Sequence, residues 1–289
     1  MKKYSPFIIA NCNPNQTWVK SRFYDPYIEK SLPENVYFQE SLPQDNPTLS
    51  KDYLKILNSL PPEEKERYML GNWDYLAENC TLIPKEALRS CLIESAENAR
   101  PNCLSIDPAD EGADSTVFCY MQNSTLIKFE IFDGLNEIKA SKLALERVLE
   151  LNLPPNNIIV DAVGIGAGCY NTLKEAGLKP FRFIGGESPI QKGFLNFKNK
   201  RAEAAWLLRK ACVEGNIRIV KHQRLQNEMA CINYFMDNDK TITLEKKAHI
   251  RSRLGHSPDC FDALCMAYYL QFFRLNAPIT AISGRFLGR

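Results

Sequence analysis

The sequence predicts an α/β protein in which one mixed sheet is flanked by helices and preceded by a mainly helical segment. Three apolar runs, at 103–107, 115–121 and 125–132, follow one another closely, as antiparallel neighbours do. Helical and strand patterns then alternate from residue 137 onward, which is typical of strands that pair in parallel. The 289 residues are 45% hydrophobic and 24% charged, the composition of an ordinary soluble globular protein.

The first hundred residues are predicted to form a separate, mainly helical region. Residues 5–10 are typical of one short buried strand, and prolines and acids at 61–64 are typical of a helix start. Helices are expected in four places: at 18–23, 49–60, 61–71 and 84–92. We predict a first domain at 1–75 and, because residues 76–100 are mixed and polar, a linker there.

From residue 101 to 273 the elements are predicted to build one domain. After the three antiparallel strands we expect strands at 157–161, 181–184 and 241–244, and helices that end at 151, 176, 213, 235 and 273. This is the order of the RNase H-like fold, in which the ends of the first and fourth strands and the start of a late helix converge. Residues 274–289 contain three arginines and are expected to be a flexible basic tail.

Aspartates stand at the three places that this fold brings together. Asp107 ends the first strand, Asp161 ends the fourth, and Asp259 and Asp262 open the last helix. Carboxylates from separate segments suit a hard divalent cation, Mg²⁺ or Mn²⁺. Two such ions can clamp the attacking and leaving oxygens of a phosphodiester, with Asp107 bridging both, Asp161 holding one and Asp262 the other. Asp259 is predicted to ligate directly or to orient a water, and Asp114 to support the site.

Each acidic feature alone has a plainer explanation. A single aspartate at a strand end before proline, such as Asp107, is usually a turn residue. Asp259 follows Ser-Pro and is a good helix cap. Glycines alternate over 164–168, which misses the spacing of a dinucleotide-binding loop, so no nucleotide is expected and we assign them to a sharp turn beside Asp161. The metal prediction therefore depends on the acids recurring together.

A basic stretch lies close to these acids in the sequence. Residues 192–256 contain 14 Lys and Arg against 6 Asp and Glu, a local net charge of +8, whereas the whole chain carries only +2. A charge run alone is more often a solvated face, but beside an acidic metal site it suits a polyanion such as double-stranded DNA. The candidate DNA contacts are Lys198, Lys200, Arg201, Lys246, Lys247, Arg251 and Arg253.

Cysteine usage and hydropathy bear on location. The ten cysteines form no CxxC pair and are scattered through apolar runs, which favours reduced, buried thiols in a cytoplasmic protein. The apolar run at 7–10 is too short for a signal peptide or a membrane span. We therefore expect a cytoplasmic protein without membrane contact.

Together these residues resemble a known family, the large subunit of the tailed-phage terminase, a DNA-packaging motor with an N-terminal ATPase and a C-terminal RNase H-like nuclease. The resemblance covers roughly residues 100–273. It implies that Asp107, Asp161 and Asp262 are metal-binding acids and that Asp259 occupies an adjacent, variable ligand position. The stretches that carry it are Ser-Ile-Asp-Pro-Ala at 105–109, Val-Asp-Ala-Val-Gly-Ile-Gly-Ala-Gly at 160–168, Asn-Lys-Arg-Ala-Glu at 199–203 and Leu-Gly-His-Ser-Pro-Asp-Cys-Phe-Asp-Ala-Leu at 254–264.

Residues 1–75 resemble only the last part of a terminase ATPase, a C-terminal remnant of a P-loop domain. The stretch at 8–18 is similar to the strand and coupling turn after the Walker motifs, and residues 45–73 are similar to the following helical subdomain. No GxxxxGK(S/T) motif occurs, and no Walker B acid precedes Ile8. We therefore expect no ATP hydrolysis from this chain alone, whether it is a shortened form, a split gene or a decayed prophage copy.

The resemblance implies a Mg²⁺- or Mn²⁺-dependent endonuclease that uses two ions to cut phage DNA during packaging. Its partners would be double-stranded DNA, the terminase small subunit, the portal protein and a separate ATPase half, in the cytoplasm of the bacterial host. Two other classes stay open. One is an RNase H-like resolvase or transposase that acts on branched DNA, and the other is an inactive prophage remnant that only binds DNA or packaging proteins.

Overall fold

The chain divides between Cys80 and Thr81 into two units. The structure, a computed structural model, describes residues 7–14, 19–60, 62–73, 81–110, 114–191, 195–237 and 239–275. The predicted linker at 76–100 lies across the division, and its residues from Thr81 onward belong to the second unit. Those residues include a helix, Lys85–Cys91, and a short strand, Leu92–Ile93. The strand pairs with another strand of the large sheet in the second unit.

The first unit has only helical elements over its described residues. Its buried hydrophobic residues include Leu57, Leu60 and Trp73, and the Trp73 ring stacks on that of Tyr24, with 4.9 Å between the ring centroids. Helices are confirmed near 18–23, 49–60 and 61–71, with ends shifted by a few residues. The elements are a π-helical segment Lys20–Tyr24 that runs into α1 (Asp25–Ile28), a short 3-10 helix Pro43–Asp45, α2 (Lys51–Asn58) and α3 (Pro62–Tyr68).

The strand predicted at 5–10 is wrong where it can be compared with the structure. Residues 7–10 have no regular secondary structure, and Phe7, Ile8 and Ile9 are 81%, 95% and 84% exposed. No strand in the described part of the first unit pairs with them, and an apolar segment forms a stable strand only where its backbone groups are paired. Residues 5 and 6 lie outside the described residues.

The second unit contains a seven-stranded mixed sheet, and the predicted fold class is confirmed. In spatial order its strands are β1 (Leu92–Ile93), β8 (Arg218–Val220), β4 (Thr125–Asp133), β3 (Ser115–Gln122), β2 (Cys103–Asp107), β5 (Ile158–Asp161) and β6 (Phe181–Phe183). β2, β3 and β4 pair antiparallel, and the outer strands add in parallel. A smaller sheet has the order β7 (Asn196–Phe197), β10 (Thr241–Leu244), β9 (Tyr234–Met236).

Seven helices of the second unit surround these sheets in the described residues. They are α4 (Lys85–Cys91), α5 (Glu137–Glu150), α6 (Gly166–Glu175), α7 (Lys200–Val213), α8 (Gln223–Cys231), α9 (Lys247–Leu254) and α10 (Asp259–Leu275). No helix over the described residues is long and apolar enough to cross a membrane. The predicted tail at 274–289 begins inside α10, and residues 276–289 lie outside the described part.

The helix predicted to end at 235 stops four residues earlier. The chain turns extended at Ile232, and Tyr234 and Phe235 then pair with β10. Tyr234 is buried with its ring 5.2 Å from that of Trp206, so tertiary packing outweighs the apparent helical pattern. The three-residue strand β8 was not predicted, because such a short apolar run carries no readable period.

Strand alternation decides which side chains of the large sheet reach which helices. One face packs on α5 and α6 and includes Leu104 and Ile106 of β2 and Ile158 and Val160 of β5. The alternate residues of both strands therefore point to the opposite face, which α10 covers. Asp107 of β2 and Asp161 of β5 are among these residues and point to the face that α10 covers.

Gly166→Ala should destabilise the protein by about 2 kcal/mol, although alanine normally favours a helix. The reason is that an added Cβ would lie 1.8 Å from the backbone oxygen of Asp161. Chemical denaturation measures the change. Gly186→Ala is the control, since nothing lies within 4 Å of its added Cβ and it should alter stability by less than about 0.5 kcal/mol. Equal effects of the two substitutions would contradict the close approach.

Candidate metal centre

Three of the predicted acids meet at one edge of the large sheet. β2 and β5 are parallel neighbours with Ile106 opposite Val160, so Asp107 and Asp161 end adjacent strands side by side. Both point to the face that α10 covers, and Asp262 stands in the first turn of that helix. Asp107 interacts electrostatically with both of the other carboxylates. Carboxylates from three separate segments therefore lie together, as the sequence predicted.

A pocket of about 720 Å³ opens beside these acids. Its walls come from the ends of β2 and β5, the start of β3, the helix α9 and the segment before α10. The charged side chains that line it are Asp107, Asp110, Asp114, Asp161, Asp259, Lys247 and Arg251. Acidic and basic groups thus share one cavity.

Burial raises the pKa of two of the clustered acids. The pKa of Asp107 lies well above its usual value because the carboxyl is buried, and Asp161, Asp262 and Asp259 raise it further while Lys247 opposes them. Burial also raises the pKa of Asp161, against the effect of Lys247. Proton uptake at these two positions therefore relieves the repulsion between the carboxylates.

Asp262 behaves in the opposite way because two cations contact it. Its side chain is only 10% exposed, and burial alone would raise its pKa. The Arg201 Nε atom lies 3.1 Å from Oδ1, however, and the Lys247 Nζ atom lies 2.7 Å from Oδ2, and together they hold the pKa below its usual value. The pKa of Lys247 is raised in turn, mainly by Asp262. Asp262 is therefore an ionised carboxylate with a cation at each oxygen.

The donor set suits a hard divalent cation, but the side chains are arranged around protein cations. All the clustered donors are carboxylate oxygens, the ligands that Mg²⁺ and Mn²⁺ prefer. Across the described residues, no group of three or more His, Cys, Asp or Glu side chains is arranged to hold a metal ion. Lys247 and Arg201 supply the positive charge at Asp262 instead. An ion held by all three acids would require Lys247 to leave Asp262.

Asp259 lines the same pocket but is held by other groups. Its Oδ2 atom accepts hydrogen bonds from Arg224 Nη2 at 2.9 Å and from the Ser115 N–H at 3.3 Å. Burial raises the pKa of Asp259 to about 6, against the effects of Ser115 and Arg224. Asp259 therefore lies at the pocket with one carboxylate oxygen held by Arg224 and Ser115.

Asp114 stands at the outer side of the pocket. Its carboxylate pairs with Arg251, whose Nη2 atom also donates to the Ser257 Oγ at 2.6 Å. The Asp114 side chain is half-exposed. It ties the loop after β2 to α9, which covers one side of the pocket, and its predicted supporting role stays a prediction.

Three of the basic residues predicted to contact DNA are engaged within the protein. Lys200 is buried, with Nζ 2.5 Å from an Oε2 atom of Glu187. Arg201 contacts Asp262, as described above, and Arg253 forms an ion pair with Glu245. These side chains stabilise the fold around the site, and Lys200 in particular does not present its ammonium group to solvent.

The other four basic candidates lie at the surface or in the pocket. Lys247 and Arg251 line the pocket, where each pairs with an aspartate. Lys198 and Lys246 are exposed and form no ion pair with any residue that the structure describes. Of the seven candidates, these two are the cations most open to a phosphate.

Two residues near the site were not predicted. Glu228 is fully buried and accepts the Phe261 N–H at 2.7 Å, and Arg224 lies 3.0 Å from it on the same helix. An Arg and a Glu four residues apart are a common pair on one helix face. The sequence therefore gave no sign that this pair reaches the start of α10.

Comparison with solved structures identifies the fold. The nuclease domain of the large terminase subunit of bacterial virus Sf6 is 21% identical and aligns over 65% of this chain and 98% of its own, with a TM-score of 0.52. A mutant of that domain solved with manganese and beta-thujaplicinol has 20% identity, the same coverage and the same TM-score. At this identity the likeness shows the fold, which is that of an RNase H-like nuclease domain.

Sequence comparison then gives the family. Residues 104–270 match the family model described as the terminase RNaseH-like domain, which covers more than half of the chain. The chain therefore belongs to the terminase RNase H-like domain family, and the resemblance to the phage terminase large subunit is confirmed. No curated protein matches the sequence.

Without metal, Asp107→Asn and Asp262→Asn should change stability in opposite directions at pH 7. Burial disfavours the ionised form of Asp107, so a neutral amide should raise the free energy of unfolding. Asp262 has a lowered pKa, so its charge stabilises the folded state above the usual carboxyl pKa, and its loss should cost about 3 kcal/mol. Urea unfolding in EDTA measures both effects.

The exposed Asp52→Asn is the matched control for this pair of substitutions and should leave stability unchanged within about 0.5 kcal/mol. The loss caused by Asp262→Asn should shrink as the pH falls below about 4, because the carboxyl of the unfolded wild-type chain is protonated first, and it should vanish below the lowered pKa of folded Asp262. Shifts of the same sign for the two buried aspartates would contradict the assignment of charge in the cluster.

Proposed function

We propose that this chain is a divalent-metal-dependent endodeoxyribonuclease of a phage or prophage DNA-packaging terminase. The single observation that supports this most is the meeting of Asp107, Asp161 and Asp262 at the carboxyl ends of β2 and β5. Membership of the terminase family and the RNase H-like fold are consistent with it. Manganese and calcium are present in structures of the Sf6 nuclease domain, which favours Mg²⁺ or Mn²⁺ here.

Each of the three clustered aspartates is proposed to have its own role in metal binding. Asp107 would contribute to the sites of both ions, Asp161 would hold one of them, and Asp262 would hold the other. When bound, the two ions supply an activated water and stabilise the charge that develops on the leaving 3′ oxygen. Burial favours the protonated form of Asp107, and Lys247 pairs with Asp262, so metal binding would compete with a proton at Asp107 and with Lys247 at Asp262.

Double-stranded DNA is the proposed substrate because two basic side chains line the acidic pocket and further exposed lysines occur in the same basic stretch of the sequence. Lys198 and Lys246 are open to phosphates, and Lys247 and Arg251 border the cavity itself. Phosphate contacts of this kind fix the register of a duplex without reading its sequence. Asp107 and Asp161, which line the pocket, would then lie beside the phosphodiester to be cut.

Residues 1–75 are proposed to be the end of a terminase ATPase domain, with 76–100 as the connection to the nuclease. No nucleotide is expected to bind this chain alone, because the sequence contains no phosphate-binding loop. The proposed partners are a separate ATPase half, the terminase small subunit and the portal protein. The proposed location is the cytoplasm of the bacterial host.

Incubation with supercoiled plasmid tests the proposal. We expect nicked and linear products with Mg²⁺ or Mn²⁺, none with EDTA, and loss of at least about 100-fold in rate for Asp107→Asn, because the bridging carboxylate is removed. Asp52→Asn makes the same change of charge on an exposed side chain of the first unit and should cut like the wild type.

The outcomes separate the proposed function from its rivals. Absence of nicking with either metal would contradict the nuclease assignment and favour an inactive remnant. Cleavage of four-way junctions but not of linear duplex would favour a resolvase. Hydrolysis of ATP by the purified chain would contradict the assignment of residues 1–75.

Lys246→Ala and Lys198→Ala should weaken DNA binding independently of sequence, and each should lower the slope of log K against log salt by about one. Both side chains are exposed, so neither change should affect stability. Lys200→Ala should do the reverse, destabilising the protein without a comparable change in the salt slope, because its ammonium group is buried against Glu187.

Fluorescence anisotropy with a labelled duplex at several salt concentrations measures the slopes. Lys142→Ala is the control, since Lys142 is exposed on α5, which packs on the opposite face of the large sheet. A salt slope altered as much by Lys142→Ala as by Lys246→Ala would show that the effect reflects net charge alone.

A further inference from the structure

Arg224 of α8 connects three elements that surround the pocket. Its Nη2 atom donates to Asp259 Oδ2 at 2.9 Å, its Nη1 atom to Ser115 Oγ at 3.0 Å, and its Nε atom to Glu228 Oε1 at 3.0 Å. Each nitrogen of the guanidinium group therefore has an oxygen partner. A planar group with this many fixed partners is a geometric anchor more than a mobile surface charge.

Glu228 extends the same anchor to the backbone of α10. Its Oε2 atom accepts the Phe261 N–H at 2.7 Å, and its side chain is fully buried. The first turn of a helix has N–H groups without partners inside the helix, so a carboxylate there fixes where the helix begins. Asp262 is the next residue along the chain after Phe261.

Ser115 connects this group to the sheet. Its N–H donates to Asp259 Oδ2 at 3.3 Å, and its Oγ donates to Asp133 Oδ1 at 2.7 Å. Ser115 begins β3 and Asp133 ends β4, which are paired strands of the large sheet. The start of α10 is thus tied to the sheet on one side and to α8 on the other.

We propose that Asp259 is a positioning residue in this chain and not a metal ligand, and that Arg224 is the residue that makes it so. Arg224 and Glu228 hold the first turn of α10 at two points, the Asp259 carboxylate and the Phe261 N–H. Asp262 is thereby fixed opposite Asp107 and Asp161, and the metal set consists of these three acids. This inference rests on the proposed metal-dependent function.

Mn²⁺ binding separates a ligand from a positioning residue. Asp259→Asn keeps an oxygen that can accept from Ser115 and Arg224, so its Mn²⁺ dissociation constant should stay within about threefold of the wild type. Asp262→Asn removes a proposed ligand and should weaken binding by more than about tenfold. Isothermal titration gives the constants, and Mn²⁺ EPR reports the ligand environment, which should be unchanged in Asp259→Asn. A loss of about tenfold or more in Asp259→Asn would overturn the proposal.

Arg224 is tested by its removal and by its conservative replacement. Arg224→Gln should weaken Mn²⁺ binding by about tenfold, because the turn that carries Asp262 is no longer fixed, and Arg224→Lys should recover part of this loss. Arg218→Gln is the matched control, since Arg218 is exposed and lies at the opposite end of the large sheet, beside Thr125. Mn²⁺ binding by Arg224→Gln at the wild-type constant would also overturn the proposal.

Thermal unfolding in EDTA tests the structural role of Arg224 separately from the proposed metal binding. If the wild type neither bound Mn²⁺ nor nicked DNA, the proposed function would fail, but Arg224→Gln should still lower the melting temperature by several degrees relative to Arg218→Gln. Equal melting temperatures would show that Arg224 anchors nothing. If Arg224→Gln did not fold, Asp259→Asn and Arg224→Lys would still decide the outcome.

Discussion

Repulsion among carboxylates is the constraint on which the rest of the second unit depends. Asp107, Asp161 and Asp262 are gathered where burial already disfavours their charges, and a fourth acid, Asp259, lies close by. The fold counters this with cations brought from three different helices: Arg201 of α7, Arg224 of α8 and Lys247 of α9. These helices therefore do more than cover the sheet, because each carries one positive group to the acidic edge.

The cations act differently on the two ends of the acidic group. Asp262 has a cation at each oxygen and keeps its charge, whereas the two strand-end acids share the influence of Lys247 and tend to take up protons. The site thus contains several carboxylates, and the positive charges that offset them come from Lys and Arg side chains of the protein itself. Metal ions bound as proposed would compete with those charges, so binding and local rearrangement would be linked.

Sequence reasoning found the acids but not their counter-charges, for a physical reason. An aspartate at the end of an apolar strand can be located from the strand pattern, and the sheet order then brings Asp107 and Asp161 together. A basic run such as 246–253 shows only that cations are abundant. Whether Lys200 turns inward to Glu187 or outward to solvent is decided by packing between distant segments, and the same is true of Arg224. Short strands such as β8 and the extended chain after Ile232 were missed because their pairing is tertiary.

The buried cysteines allow local opening of the second unit to be measured by thiol labelling. The nine that the structure describes are all free; seven are buried, while Cys12 is exposed and Cys231 is partly so. Cys103 and Cys119 lie in β2 and β3, and Cys260 and Cys265 lie in the helix that covers those strands. A thiol reagent would therefore modify the accessible groups at once and these four only when α10 lifts from the sheet. The rate of that slow labelling would report how often α10 separates from the strands that carry Asp107 and Asp161.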